Sequence, residues 1–157
     1  MPLTSVVYKY HLHLNATPAA ALAWATDYQP DDFKLLGRKG SRKVDRIDDD
    51  TMILTDTAIA DDGTRSRSKK LIKIYRDRLL WTSTILDGPM RHTQSLYEIT
   101  ADGAKGSRLT FTGHRVHDGQ PMTAREKRAL SAQFAKMGTA HWKHIAQVMT
   151  ESLKKSS

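Results

Sequence analysis

Two histidines and a tryptophan lie close together near the C-terminal end of the chain, in the sequence GTAHWKHIAQVM over residues 138–149. At helical spacing, His141 lies near the centre of an apolar stripe, with Trp142 and Met149 on one edge and His144 on the other. The stripe consists of Leu130, Phe134, Met137, His141, Ile145 and Val148. Two interpretations of His141 stay open: a hydrogen-bonded core histidine, or a polar group offered to a ligand in an apolar cavity. The i, i+3 spacing of His141 and His144 suits a metal, but no carboxylate shares the central stripe, so no metal site is predicted.

Further histidines lie on predicted strands. His11 and His13 share a strand face with Lys9, and His114 would join them outside the sheet if the first and last strands pair. We expect these histidines to be exposed and solvated, with an adventitious metal site as the alternative.

Carboxylates offer weaker candidates for catalysis. Glu98 lies inside a predicted strand on the same face as His92, where an acid/base pair is conceivable, although that face is assigned to the outside of the sheet. The other acidic residues considered lie in predicted turns, where aspartate bonds its own backbone: Asp48, Asp49, Asp50, Asp61, Asp62, Asp102 and Asp118. The chain has no GxSxG motif, no cysteine and no phosphate-binding glycine loop, so nothing supports nucleophilic catalysis.

Basic residues concentrate in two stretches, 34–46 and 65–78, and the formal net charge is +8. In the second stretch four basic side chains share one strand face: Arg65, Arg67, Lys69 and Lys73. Ile72 and Ile74 share the other face, so the basic residues are interpreted as a solvated outer face that discourages edge pairing. The alternative is a surface for an acidic partner or a membrane. Nucleic acid is not the predicted partner, because no RNP-type motif, zinc finger or helix-turn-helix is present.

Length and composition indicate one soluble globular domain over residues 1–157. Hydrophobic residues make up 39% and charged residues 27% of the chain, and no apolar run is long enough for a transmembrane helix. The first residues lack the pattern of a signal peptide. The absence of cysteine excludes disulfides and cysteine-ligated zinc, and it is compatible with the cytoplasmic location that we predict.

The first predicted elements are a strand and two short helices. Residues 5–14 alternate as a strand, and Thr17 and Pro18 begin a helix that runs to about Tyr28. Residues 31–36 form a second short helix. Breaks rich in aspartate and glycine then separate six predicted strands. These are residues 38–47, 51–60, 65–77, 79–86, 91–100 and 107–116. Their short connections imply an antiparallel meander.

The last predicted element is a long helix. The sequence TARE at residues 123–126 fits a capping box with Thr123 as N-cap and Glu126 reaching back, and the helix extends to about Lys154. A lone curved sheet would leave one face bare, and this helix is the element large enough to cover it. The predicted class is therefore α+β: a seven-stranded curved antiparallel sheet wrapped around a long C-terminal helix, with two short helices after the first strand.

Two segments carry a resemblance to a known superfamily. NATPAAALAWATD at residues 15–27 resembles a first-helix signature in which a tryptophan, here Trp24, is followed by an aspartate, here Asp27. GSRLTFTG at residues 106–113 is similar to the glycine-led strand before the long helix. Nearly the whole chain thus resembles the helix-grip fold of the START-like (SRPBCC) superfamily, which includes polyketide cyclase/dehydrase-like proteins. The resemblance implies a cavity between sheet and helix that binds sterols, lipids or polyketides; a minority of members are enzymes, and a related group activates a chaperone.

The resulting prediction is binding or carriage of a small hydrophobic molecule without a cofactor. The predicted ligand-binding residues are Tyr8, Tyr10, Trp24, Phe33, Ile72, Ile74, Trp81, Tyr97, Phe111, Phe134, Met137, His141 and Ile145. One alternative is a cyclase/dehydrase-type enzyme with His141 as acid or base, which requires a polar partner for that ring. Another is an interaction module, such as a chaperone cofactor, that uses the basic outer face.

Overall fold

The computed structural model describes residues 3–156 and gives one antiparallel sheet with helices on one of its faces. The strands are β1 (Leu3–Leu14), β2 (Gly40–Asp48), β3 (Thr51–Ile59), β4 (Arg65–Tyr75), β5 (Leu80–Asp87), β6 (Gln94–Ala101) and β7 (Ser107–Asp118). The α-helices are α1 (Pro18–Ala25), α2 (Asp32–Leu35) and α3 (Ala124–Ser156). The predicted α+β helix-grip class is confirmed. None of these helices is both long enough and apolar enough to cross a membrane.

The sheet is a meander whose last strand returns to the first. Its order is β1-β7-β6-β5-β4-β3-β2, and all neighbours are antiparallel. Strands β2 to β7 follow the chain, as the short Asp- and Gly-rich connections predicted. The pairing of β1 with β7 places Tyr10 opposite Phe111 and Leu12 opposite Leu109. Residues directly opposite each other point to the same face, so both pairs contribute to the buried side of the sheet.

Several predicted boundaries are wrong by two or three residues. Helix α1 ends at Ala25 rather than near Tyr28, because the Thr26 hydroxyl donates to the Leu22 carbonyl at 2.7 Å and Tyr28 has a φ of 30°. Strand β6 begins at Gln94, because His92 adopts a φ of 74° in the preceding turn. Strand β2 extends to Asp48 and strand β7 to Asp118, although both residues were predicted to lie in turns.

The capping interactions of α1 and α3 follow the sequence. The Thr17 side chain accepts a hydrogen bond from the Ala20 amide at 3.4 Å at the start of α1. Before α3, the Thr123 amide donates to a Glu126 carboxylate oxygen at 2.7 Å, and the Glu126 amide donates to the Thr123 hydroxyl at 3.2 Å. This reciprocal pair is the predicted capping box.

Helix α3 presents a different face to the sheet from the one predicted. Trp142 and Met149, expected on the edge of the apolar stripe, are buried, while Met137, expected within the stripe, is 57% exposed. Trp142 is the largest apolar side chain of the helix, so its burial dominates the choice of face. Gly138 adds to the effect, because its missing side chain leaves room for the Tyr10 ring; a Cβ there would lie 2.4 Å from Tyr10 Cε1.

We therefore expect Gly138→Ala to destabilise the protein. Alanine favours a helix by about 1 kcal/mol over glycine, but forcing a methyl group into the Tyr10 ring costs about 1–3 kcal/mol. Chemical denaturation followed by circular dichroism should show a net decrease in the free energy of unfolding. In a Tyr10→Leu background the same substitution should be neutral or stabilising. A stabilising Gly138→Ala with Tyr10 in place would contradict the close packing of this residue pair.

Candidate functional site

A cavity of about 370 Å³ lies on the buried side of the sheet, where α1, α2 and α3 meet the strands. Each of these elements contributes to its wall. The apolar part of the wall is formed by Tyr8, Tyr10, Trp24, Ala25, Tyr28, Leu35, Leu36, Leu54, Ile72, Ile85, Met90, Tyr97, Phe111, Gly138, Trp142 and Ile145. The polar part is formed by Asp27, Asp32, Arg38, Arg42, Lys70, Ser83, Thr93, Ser95 and His141.

Aromatic rings form a continuous cluster on the apolar side. Tyr10 stacks on Phe111 with centroids 4.6 Å apart, and Tyr97 meets Phe111 edge-on at 5.1 Å. Tyr97 also lies 5.7 Å from the Trp142 ring of α3. Burial raises the pKa of Tyr97 and of Tyr10 well above the ordinary value, so both hydroxyls stay protonated and can act as hydrogen-bond donors.

The structure brings eight of the thirteen predicted ligand-binding residues into this wall. They are Tyr8, Tyr10, Trp24, Ile72, Tyr97, Phe111, His141 and Ile145. Their contact with a ligand stays a prediction. The other five residues lie elsewhere: Phe33, Ile74, Trp81, Phe134 and Met137.

Two of these five belong to the solid core. Ile74 and Trp81 are 2% and 1% exposed, and they lie directly opposite each other on β4 and β5. Trp81 stacks on Tyr97 with ring centroids 4.6 Å apart and nearly parallel planes. Trp81 therefore supports a wall residue without lining the cavity itself, and it does not plug the space.

The remaining three lie outside the wall for different reasons. Met137 is exposed, because α3 turns Trp142 rather than Met137 towards the sheet. Phe134 packs between the Tyr8 ring at 5.4 Å and the Arg115 guanidinium, which lies 4.4 Å above its face. Phe33, on α2, has its ring 5.6 Å from the guanidinium of Arg42 on β2.

An ion-pair network forms one side of the cavity and was missed in the sequence. Arg42 on β2 donates to both carboxylate oxygens of Asp56 on β3, at 2.7 and 2.9 Å, and to Asp32 of α2 at 2.7 Å. Lys70 on β4 donates to Asp56 at 3.2 Å. Burial tends to raise the pKa of Asp56, but the Arg42 hydrogen bonds and the Lys70 charge outweigh it, so the pKa is lowered. Asp56 thus stays ionised although it is only 4% exposed.

The sequence contains a signal for this network. Asp56 alternates with the buried Met52 and Leu54, and Lys70 alternates with the buried Ile72 and Ile74. Period-2 alternation therefore places both charges on the interior face. Lys70 also belongs to the basic stretch 65–78, which favoured a surface interpretation instead.

Five wall residues are exposed and define the mouth of the cavity: Asp27, Leu35, Arg38, Met90 and His141. At the mouth, Arg38 donates a short hydrogen bond to Nδ1 of His141. One turn further along α3, His144 Nε2 donates to the Leu36 carbonyl at 3.0 Å. The two histidines therefore fasten the segment after α2 to α3, and His141 lies at the mouth rather than in the core.

The electrostatic surroundings of His141 keep its ring neutral. Desolvation, followed by the charges of Arg38 and Lys70 and by His144, lowers the pKa of His141 to about 4. Because Nδ1 accepts from Arg38, the proton of the neutral ring lies on Nε2. General acid/base catalysis works best with a pKa near the working pH, so the surroundings favour a hydrogen-bond donor over an acid or base. Arg38 is the polar partner that an enzymatic interpretation required, but as a permanent cation it accepts no proton.

This arrangement predicts a pH dependence of stability. With a folded pKa of about 4 and an ordinary value of 6.5, the unfolded chain binds more protons at His141 between these pH values. The free energy of unfolding should therefore fall as the pH is lowered from about 6.5 towards 4 and be unaffected by this group above that range. Urea unfolding across this range should show a shallower fall for His141→Gln, whose side-chain oxygen can still accept from Arg38. Parallel curves for the two proteins would exclude the effect.

The remaining predicted candidates lie on the outer face of the sheet, but they do not come together in one site. His114 lies opposite Val7, four residues from His11, so the three strand histidines do not converge. His13 instead lies 2.9 Å from an Asp102 carboxylate oxygen. Within residues 3–156 the described side chains contain no group of three or more candidate metal ligands.

The other predicted surface candidates also lie apart from the cavity wall. Glu98 lies opposite Leu80 and Thr110 on neighbouring strands, whereas His92 is outside the strand, so alternation no longer places the two on one face. The four side chains of the predicted basic outer face are exposed, and their role stays a prediction: Arg65, Arg67, Lys69 and Lys73.

Comparison with known proteins identifies the architecture. No protein-family model and no curated protein sequence matches the chain. Among solved structures, the Zhui aromatase/cyclase from Streptomyces sp. R1128 is similar with a TM-score of 0.71 and 10% identity over 98% of this chain and 97% of that one. Norcoclaurine synthase from Thalictrum flavum, in complex with dopamine and hydroxybenzaldehyde, has a TM-score of 0.69 and 10% identity over 99% and 90%. A START superfamily protein from Mycobacterium smegmatis has a TM-score of 0.66 and 9% identity over 97% and 99%. These likenesses show that the protein has a START-like helix-grip fold.

Proposed function

We propose that the protein binds a small hydrophobic molecule in the cavity between the sheet and α3. The observation that carries the proposal is the cavity of about 370 Å³, whose wall contains many aromatic and aliphatic side chains. Ligand pockets are typically of this size and lined in this way, with a few polar groups that fix orientation. Burial of the ligand's apolar surface in a preformed space supplies the affinity.

Hydroxyl groups on the wall offer points of orientation for such a ligand. Thr93 and Ser83 are 2% and 8% exposed and belong to the wall, and the Thr93 hydroxyl has no hydrogen-bond partner within the described structure. A buried hydroxyl without a partner costs free energy. A ligand atom that bonds Thr93 would therefore recover part of that cost.

The test is binding of the neutral dye N-phenylnaphthylamine, whose fluorescence rises in apolar surroundings. We expect saturable binding to the wild type and its loss in Ala25→Trp, because Ala25 is a wall residue on α1 and an indole there fills the cavity. Ala23→Trp, on the exposed side of the same helix, is the matched control and should bind like the wild type.

Two outcomes would contradict this proposal. One is the absence of saturable binding to the wild type, and the other is equal binding by Ala25→Trp and Ala23→Trp. Circular dichroism confirms that the variants fold, and Ile145→Trp fills the same space from α3 if Ala25→Trp does not. Native mass spectrometry with solvent extraction of the purified protein would then identify the class of any co-purified molecule.

Of the two alternative functions, neither has a supporting observation as specific as the cavity. A cyclase/dehydrase-type reaction through His141 would need a ring that exchanges protons near neutral pH, but desolvation and the neighbouring cations lower the pKa of this ring. Docking of an acidic partner or a membrane on Arg65, Arg67 and Lys69 stays a prediction. Binding that weakens steeply with salt would support it.

A further inference from the structure

The charges on the His141 side of the cavity do not balance. Arg42 and Lys70 are paired with Asp56, and Arg42 also with Asp32. Among the described side chains Arg38 forms no ion pair, and its guanidinium donates to the neutral ring of His141. Three cations therefore face two carboxylates, and the excess positive charge belongs to Arg38. Since Arg38 is a wall residue at the mouth, this charge borders the cavity.

The surroundings of Arg38 leave donors available. A guanidinium has five N–H groups, and one hydrogen bond to His141 leaves others for a further acceptor. The Nε2–H of His141 is a second donor in the same part of the wall. Desolvation and the nearby Arg42 charge both disfavour the protonated form and lower the pKa of Arg38 from its ordinary value. An anion placed beside it would relieve that cost.

Asp27, the acidic residue of the mouth, does not balance the charge of Arg38. Asp27 belongs to the exposed rim, and its pKa is raised by burial and by the charges of Asp32 and Asp31, against a lowering by Arg46. Besides desolvation, the charge of Arg42 lowers the pKa of Arg38. Besides desolvation, Arg38, Lys70 and His144 lower the pKa of His141. Asp27 therefore does not neutralise the Arg38 side of the mouth.

We infer that the ligand of the cavity is a hydrophobic carboxylic acid whose carboxylate binds Arg38, with the His141 Nε2–H as a second donor. This inference rests on the proposed function, since the apolar part of the acid occupies the cavity. A planar guanidinium matches the geometry of a carboxylate with two parallel hydrogen bonds, which an ammonium does not. The aromatic wall accommodates a flat or chain-like apolar body.

The experiment compares three probes that share one ring system: naphthylacetic acid, its amide and naphthylethylamine. Isothermal titration calorimetry at neutral pH should give at least about tenfold tighter binding of the acid than of the amide, as expected for a charge-assisted hydrogen bond. The positively charged amine should bind most weakly. Arg38→Gln should remove the advantage of the acid and weaken binding of the acid far more than binding of the amide. Arg65→Gln, the same charge change on the outer face of β4, should leave both unchanged.

Several results would overturn the inference. Equal binding of acid and amide to the wild type, a preference for the amine, or equal weakening of acid and amide by Arg38→Gln would each exclude a carboxylate site at Arg38. Absence of binding by the acid would exclude it too. The neutral dye then separates the two proposals: if N-phenylnaphthylamine still binds in a manner lost in Ala25→Trp, the cavity function stands and the inferred ligand class is wrong.

Discussion

Replacing Trp81 by alanine is expected to lower the free energy of unfolding by about 3–5 kcal/mol. The side chain is 1% exposed, stacks on Tyr97 at 4.6 Å and lies 6.3 Å from the Trp142 ring of α3. It thus links the sheet, a wall residue and the long helix. Removing it loses apolar burial and leaves a void that neighbouring side chains fill only in part.

Trp24→Ala is the matched control for this prediction. Trp24 is half-buried on α1 and already borders the cavity, so its removal deletes fewer contacts and enlarges a space that exists. We expect a loss of about 1 kcal/mol. Urea denaturation followed by circular dichroism measures both variants. Equal losses would show that Trp81 does not have the supporting role given to it here.

Asp56→Asn is expected to cost about 3 kcal/mol of unfolding free energy. The substitution keeps the shape of the side chain and removes the negative charge that two cations share. Arg42 is then left with Asp32 as its only carboxylate partner among the described residues, and Lys70 with none. A buried cation without a counter-charge is costly, because the protein interior solvates it poorly.

Asp45→Asn provides the comparison on the same sheet. Asp45 lies 3.5 Å from Lys43 on β2, and both side chains are more than half exposed. An exposed pair of this kind contributes about 0–1 kcal/mol. Denaturation in urea measures both substitutions, and the Asp56 variant should lose clearly more stability. If both substitutions lower the free energy of unfolding by the same amount, the Arg42 network is solvated and contributes no more than a surface ion pair.

The strands were predictable because a strand has a period of two. Alternating apolar side chains and Asp-Gly breaks define β2 to β5 to within a few residues, and the short breaks imply antiparallel neighbours. The sequence left the pairing of β1 with β7 conditional, since contact between distant segments has no local signal. Helix α3 was predicted from its capping box, which depends on Thr123 and Glu126 alone.

The face of α3 and the polar side of the cavity were harder to predict. The apolar stripe of the sequence treats Met137 as equal to any other apolar residue. Packing instead favours burial of the large Trp142, on the side where the small Gly138 allows close approach to the sheet. The ion pairs depend on register: Arg42 lies directly opposite Asp56 in the pairing of β2 with β3. Arg38 lies in a loop, where no periodicity applies, and its partner His141 is 103 residues away in sequence.

The way in which α2 is attached has a consequence for access to the interior. None of its four residues is fully buried, and the contacts that hold this segment include the Arg42–Asp32 ion pair and the hydrogen bonds at His141 and His144. Water can replace such contacts, and because no residue of α2 is fully buried, lifting this segment exposes far less apolar surface than unfolding of the whole chain. Its opening should therefore carry a small heat-capacity change and a weak dependence on urea, unlike unfolding of the whole chain. Under the proposed function, a ligand would enter by exchanging these polar contacts for solvent while the aromatic core beneath stays closed.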